Sequence, residues 1–158
     1  MPTIRPLESG DWDRWLPLWN GYLDFYRASL GEALTRSTFD RLVGRVDAMF
    51  GLIAVDEGGG GVGLAHCLIH PTTWDTRPSC YLEDLFVAPA ARGLDLGRAL
   101  LEEAKRASTD LGAARLYWHT QEYNGRARSL YDQVGRLTSF VSTNCDLRIG
   151  DLNTQSLH

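Results

Sequence analysis

The chain has 158 residues, a length suited to one domain able to bury roughly 70% of its unfolded surface. Its 16 Lys and Arg against 20 Asp and Glu leave a net charge of −4, which argues against a nucleic-acid partner and is compatible with a cationic one. Cys67, Cys80 and Cys145 are odd in number and scattered, giving neither a disulfide framework nor a zinc pattern. No apolar run approaches the roughly 18 residues of a membrane span, and Met1–Arg5 leads into polar sequence rather than a secretory core. A reducing cytoplasm is the expected compartment.

Thr3–Pro6 reads as a short first strand and Ser9–Asp11 as a turn and helix cap. Trp12, Trp15, Leu16, Trp19, Leu23 and Tyr26 then recur at helical spacing, with Pro17 predicting a kink or restart near Leu16. Most of these rings suit a core. The other face, with Tyr22, Phe25 and Tyr26, suits a pocket for an amine-bearing substrate, where rings attract a cation and Asp24 could neutralise it. A second amphipathic helix is expected over Thr35–Phe50, capped by Ser37 or Thr38, with Asp40, Arg41, Arg45 and Asp47 as its solvated face. Gly51–Asp56 and Val62–His70 flank the glycine-rich turn Glu57–Gly61 and read as a hairpin. His66 and His70, four apart, share a face but have no evident third metal ligand. Trp74, in the loop Pro71–Pro78, would cover a pocket or seal a sheet edge.

Ser79–Val87 is the central strand, interrupted by Glu83 and Asp84. Alternation sends these two carboxylates to opposite faces. Each either pairs with a surface arginine or serves as a general base, since an unpaired buried carboxylate is costly. Then come the turn Ala88–Leu96 and a helix over Gly97–Ala107. A helix start offers unpaired N–H groups, and Arg92 and Arg98 beside it make a place to hold a phosphate; equally, Gly93 could be a plain turn residue. Asp110–Gly112 ends the helix. Ala113–Thr120 is the next strand, parallel to its predecessor across the helical crossover. Asn124 caps a further helix with Ala127, Leu130, Tyr131 and Val134 on one stripe, and Gly135 stops it. Leu137–Leu147 reads as one or two closing strands.

Two strings carry a resemblance. Leu85-Phe86-Val87-Ala88-Pro89 followed by Arg92-Gly93-Leu94-Asp95-Leu96-Gly97 closely resembles motif A of the GNAT superfamily of N-acetyltransferases. Asn124 through Gly135 resembles motif B, with Asn124, Ala127, Leu130, Tyr131 and Gly135 in its defining places. The likeness runs over nearly the whole chain and is closest to the small polyamine and histone-type branch. Two positions depart from the family pattern. Asp95 stands at the middle glycine of motif A; it tolerates left-handed dihedrals and could cap the helix, or its charge could repel a pyrophosphate. Arg136 stands where an aromatic residue is usual, with Phe140 as a substitute plug.

The resemblance implies an α/β fold: a mixed, mostly antiparallel sheet with a splayed parallel central strand pair, flanked by about four helices. Residues 1–150 would be a single acetyltransferase domain and 151–158 a flexible tail. It further implies acetyl-coenzyme A as cosubstrate and no metal. The cofactor-binding residues would be Leu85, Phe86, Val87, Arg92, Gly93, Leu94, Asp95, Leu96, Gly97, Arg98, Asn124 and Tyr131. Tyr81-Leu82-Glu83-Asp84 resembles the matching strand of diamine and spermidine acetyltransferases, which makes Glu83 the base that deprotonates the amine. Tyr131 would be the acid at the departing thiolate, or else a core ring. Tyr22, Phe25, Tyr26, Glu83 and Asp84 would bind the acceptor. That acceptor is a small polyamine or other primary amine, then a protein amino group, then an amino acid or antibiotic amine. A non-catalytic coenzyme A-binding sensor is the alternative that Asp95 keeps open. A homodimer is implied; a nucleic acid or membrane partner is not.

Overall fold

The computed structural model describes residues 1–93, 95–120 and 125–145. In chain order it contains β1 (Thr3–Pro6), α1 (Trp12–Phe25), α2 (Glu32–Gly44), β2 (Met49–Val55), β3 (Gly61–His70), β4 (Ser79–Val87), α3 (Leu96–Asp110), β5 (Arg115–Tyr117) and α4 (Gly125–Val134). The sheet order is β1-β2-β3-β4-β5. Neighbours are antiparallel except β4 and β5, which the α3 crossover makes parallel. This is the mixed, mostly antiparallel α/β sheet with four helices that the sequence implies.

Strand alternation divides the core in two. On one face Leu52, Ala65, Cys67, Cys80 and Leu82 meet Leu96, Leu100 and Ala104 of α3, and Leu130, Tyr131 and Val134 of α4 pack against the edge of that cluster. On the other face Ile53 and Leu64 meet Trp15, Leu18, Trp19 and Leu23 of α1 and Phe39 and Leu42 of α2. Trp15 is wholly buried, so truncating it to alanine would cost about 3–5 kcal/mol.

Several elements depart from the sequence reading, each for a local reason. The first helix runs unbroken through Pro17, because it lies early in the helix and one missing donor is outweighed by the aromatic stripe buried beneath. Asp11 does not cap this helix with its side chain. Its buried carboxylate instead accepts two bonds from Arg5, at 2.7 and 2.8 Å, and one from the Glu8 amide. The second helix is Glu32–Gly44 rather than Thr35–Phe50, so Ser37 and Thr38 lie inside it. Arg45 turns left-handed at φ 53° and ends it, and Phe50 belongs to β2, buried in the aliphatic half of the core. Trp74 is 95% exposed and covers nothing.

The fifth strand pairs over only three residues, not Ala113–Thr120. Residues 136–145 form no strand, and Phe140 is 89% exposed rather than plugging the core. Leu94, Asn124, the last residues of the closing-strand prediction and the tail 151–158 lie outside the described residues.

Candidate active site

The parallel pair governs the site. Pairing between β4 and β5 ends at Tyr81↔Tyr117, while β4 runs on to Val87. The β4 backbone beyond Tyr81 therefore has no β5 partner on that edge. A cleft of about 490 Å³ opens there. Its floor is Leu85, Phe86 and Val87, one wall is Arg92, Gly93, Asp95, Leu96, Gly97 and Arg98, and a second wall is Ala127, Leu130 and Tyr131 of α4. Tyr22, Phe25 and Tyr26 of α1 close the third side. The first helix comes this near because Gly21 faces Phe86: a Cβ there would meet the Phe86 ring at 2.9 Å.

The loop conformation explains the residue choices. Gly93 has φ +89° and Asp95 φ 59°, ψ 19°, both in the left-handed region that favours glycine and that Asp tolerates better than most residues. Asp95 stands at the N-cap of α3 without a side-chain cap bond, so the capping expected of its carboxylate is not made. The carboxylate lies 74% exposed, 3.5 Å from Arg98 Nε. The Arg92 guanidinium donates to the Val87 carbonyl at 3.3 Å. Tyr131 packs against Trp118 at 5.3 Å, and burial, then the neighbouring Tyr26, pushes its phenol up to about 12.

The two carboxylates do not go to opposite faces. His66 pairs with Asp84, but the next β3 residue, Cys67, pairs with Leu82. Glu83 is thus the extra residue of a β-bulge. The bulge breaks alternation: Leu82 points into the α3-side core, whereas Asp84 meets His66, whose ring lies against Trp15 and Trp19 of α1. Asp84 is buried at 9% exposure, with Oδ2 2.8 Å from His66 Nδ1. The Trp15 indole can only donate, and it does so to His66 Nε2 at 3.0 Å, so the His66 proton sits on Nδ1 and is donated to Asp84. Glu83, by contrast, is exposed. Crowding by the surrounding protein, then the charge of Asp84, raises its pKa, against lowering by His66 and Arg41. The Tyr22 phenol is pushed upward by burial, then by Asp84. Neither carboxylate lines the cleft itself; they stand behind Tyr22, on the α1–α2 side.

The sequence reading missed three participants. Ala91, Ala127 and Leu130 also line the cleft; their helical and motif spacing was the available signal. His66 is held by Trp15 and Asp84, and strand spacing alone does not reveal Asp84 as its partner because the bulge intervenes. Among the described residues no group of three or more His, Cys, Asp or Glu could hold a metal ion.

A family model described as "Acetyltransferase (GNAT) family" matches residues 15–135. The chain belongs to the GNAT acetyltransferases. It is an acetyl-coenzyme A-dependent N-acetyltransferase. Among GNAT relatives, the D-amino-acid N-acetyltransferase of Saccharomyces cerevisiae is 33% identical over 140 residues, covering 88% of this chain and 87% of its own length. The aminoglycoside N(6')-acetyltransferase type 1 of Klebsiella aerogenes is 28% identical, covering 91% and 94%. A probable acetyltransferase of known crystal structure shares the fold, with a TM-score of 0.80 at 23% identity over 94% of this chain and 99% of that one.

The cleft fits the GNAT cosubstrate on the chain's own geometry. The unpaired β4 edge can bond an amide-bearing arm as a further strand would, and the left-handed loop leading into α3, with Arg92 and Arg98, suits a pyrophosphate.

Proposed function

We propose that the acceptor is a small molecule bearing a primary amine, acetylated by direct transfer in a ternary complex on one domain spanning residues 1–150. The observation that carries this is the bulge at Glu83, which presents a free carboxylate on the side where α1 supplies Tyr22, Phe25 and Tyr26. Direct transfer is supported by the thiols: Cys67 and Cys80 are fully buried, and no cysteine lines the cleft.

Backbone groups of Leu85 and Val87 would hold the pantetheine arm. Arg92, Gly93, Leu94, Asp95, Leu96, Gly97 and Arg98 would hold the pyrophosphate, Phe86 would pack alongside, and Asn124 would anchor α4 to the cofactor arm. Bound acetyl-coenzyme A supplies the acyl thioester that the amine attacks. An amine is nucleophilic only when neutral, so Glu83 takes its proton. The raised pKa makes Glu83 a better base near neutrality than an ordinary glutamate. Tyr131 would stand near the departing sulfur. A phenol near 12 is about 3.5 units weaker than a thiol of pKa about 8.5, so full proton transfer would be uphill by about 5 kcal/mol. Tyr131 therefore acts by hydrogen bonding to the thiolate.

Polyamines, amino acids and antibiotic amines are the small-acceptor classes under this reading, with protein amino groups as the alternative. The Tyr81-Leu82-Glu83-Asp84 string and the aromatic first helix with Asp24 favour the polyamine. With Asp84 committed to His66, one free carboxylate is left, and Asp84 is assigned to fixing that face rather than to direct substrate contact. The printed activity of the yeast relative supports the amino acid. Exposed Leu137 and Val141, at 73% and 91%, support the homodimer reading, which light scattering would check. The test of the function is acetyl-coenzyme A consumption with spermidine, free amino acids and an N-terminal peptide. Turnover on the peptide alone would overturn the small-acceptor reading.

A further inference from the structure

A row of side chains crosses the sheet beside Glu83. Met49 pairs with Leu68, Leu68 with Tyr81 and Tyr81 with Tyr117, and residues so paired share a face. The face is that of α1 and α2, because Met49 packs into their core cluster. All four are only partly buried, so the row is an open shelf.

The tyrosines of this shelf are fixed. Tyr81 stacks on Tyr117 with ring centres 5.1 Å apart. His70 Nδ1 lies 2.8 Å from the Pro71 carbonyl, which only accepts, so Nδ1 holds the proton. Nε2 then accepts the Tyr117 hydroxyl at 2.8 Å. The Tyr81 hydroxyl is 3.2 Å from His119 Nδ1. With their hydroxyls engaged the rings contribute mainly apolar surface, but the Arg115 guanidinium lies over the Tyr117 ring, 4.5 Å from its centre.

Opposite charges flank the β2–β4 part of the shelf. Along β4, Glu83 follows Tyr81 by two residues. At the β2 end Arg41 of α2 reaches Met49, with Nη1 3.7 Å from Sδ. Its remaining contacts are long, 3.4 Å to the Ser37 carbonyl and 3.4 Å to Thr38 Oγ1. Among the described residues no carboxylate lies within 4.0 Å of it. With strands about 4.8 Å apart, the β2 and β4 backbones stand about 10 Å from each other. The Arg41 charge is felt at Glu83. A polyamine on this shelf would set a second ammonium toward a guanidinium. A zwitterion would satisfy both ends.

We propose that the shelf is the acceptor subsite and that Arg41 is its specificity residue: Glu83 receives the amine, Arg41 the carboxylate, and Leu68 and Tyr81 an apolar side chain of a free α-amino acid. The inference rests on the acetyl-transfer reading above and adds the acceptor's carboxylate. An arginine–carboxylate pair is strong and geometrically specific, and its removal acts on substrate affinity.

The test compares both enantiomers of phenylalanine with phenethylamine, which differs by the missing carboxylate. Wild type is expected to favour one phenylalanine enantiomer at least tenfold in kcat/KM. Measured above the acid limb, where the Glu83 pKa that Arg41 lowers no longer limits the rate, Arg41→Gln should lower kcat/KM for that phenylalanine about 10–100-fold through KM, leave phenethylamine within about twofold, and be partly restored by Arg41→Lys. Phenethylamine or spermidine accepted as well as phenylalanine by wild type, or an equal loss on both phenyl substrates in Arg41→Gln, would overturn the assignment while leaving amine acetylation standing. Failure of every amine, with acetyl-coenzyme A bound by calorimetry, would overturn the small-amine function and this inference with it.

Discussion

The α3 side of the sheet and the α1–α2 side are packed from different materials. The first is aliphatic, with Leu52, Leu82, Leu96 and Leu100 and two thiols between them; the second stacks Trp15, Trp19 and Phe39 around a buried histidine and carboxylate. The α3 side offers a ligand mainly backbone, at the open β4 edge and at the start of α3. The α1–α2 side offers side chains that titrate or stack. Binding through backbone demands conformation, hence Gly93 and a left-handed Asp95. Chemistry through side chains demands placement, hence a bulge at Glu83. Under the proposed function, cosubstrate and acceptor would lie on separate faces of the sheet.

Removing the base is the largest expected break in that division. Glu83→Gln should lower kcat/KM by about 10³-fold, within the usual 10²–10⁴ range for a general base, without changing acetyl-coenzyme A affinity. The sign with pH follows from the raised pKa. Glu83 is the active base above its own pKa and idle below it, so wild-type activity falls as pH drops through that value. In the variant that limb disappears, and the loss is greatest between the pKa of Glu83 and that of the amine, where Glu83 is ionised and the amine still protonated. A pH–rate profile of unchanged shape and height would remove Glu83 from the role.

Tyr131→Phe should come next, at about 10²-fold in kcat, with calorimetric affinity for acetyl-coenzyme A within about twofold because the ring and its packing on Trp118 remain. Wild-type turnover in the variant would make Tyr131 a core ring only.

Asp84→Asn tests the buried partner. It weakens a charge-assisted bond to His66 worth about 1.5–3 kcal/mol, which for a domain of this size lowers Tm by about 3–10 °C. It also removes a negative charge that raises the Glu83 pKa. The acid limb of the rate profile should therefore move to lower pH, since Glu83 then stays ionised further down. A limb that stays in place with a lowered Tm would confine Asp84 to stability.

Legibility followed the same division. Val87, Pro89, Gly93 and Gly97 announce a strand, a loop and a helix start through backbone requirements that each residue type signals on its own, and the β4 strand was placed to the residue. The α1 stripe was equally plain from the spacing of Trp15, Trp19 and Leu23. The bulge was not, because it is a relation between strands: nothing in Glu83-Asp84 says that Cys67 pairs with Leu82. Arg41 looked like a solvated helix residue because its neighbour Met49 sits on a strand that the periodicity of Phe39, Leu42, Val46 and Phe50 assigned to helix. The cause was Arg45, which takes a left-handed turn directly after Gly44, a glycine that the apolar periodicity runs past.

The smallest expected effect sharpens the α3 side. Asp95→Gly removes a non-glycine residue from φ 59°, a gain of about 1 kcal/mol that the greater freedom of glycine in the unfolded chain largely offsets, so Tm should hardly move. The carboxylate it removes is exposed and already faces Arg98. A unit charge pair at 4 Å in water is worth about 1 kcal/mol, so affinity for acetyl-coenzyme A should rise by no more than about fivefold. The gain should shrink with added salt, as a screened repulsion must. Micromolar binding by wild type with this small gain fits an enzyme whose loop holds its shape through Asp95. Binding seen only in the glycine variant would mean that Asp95 shuts the cosubstrate site, and a role without turnover would then replace catalysis.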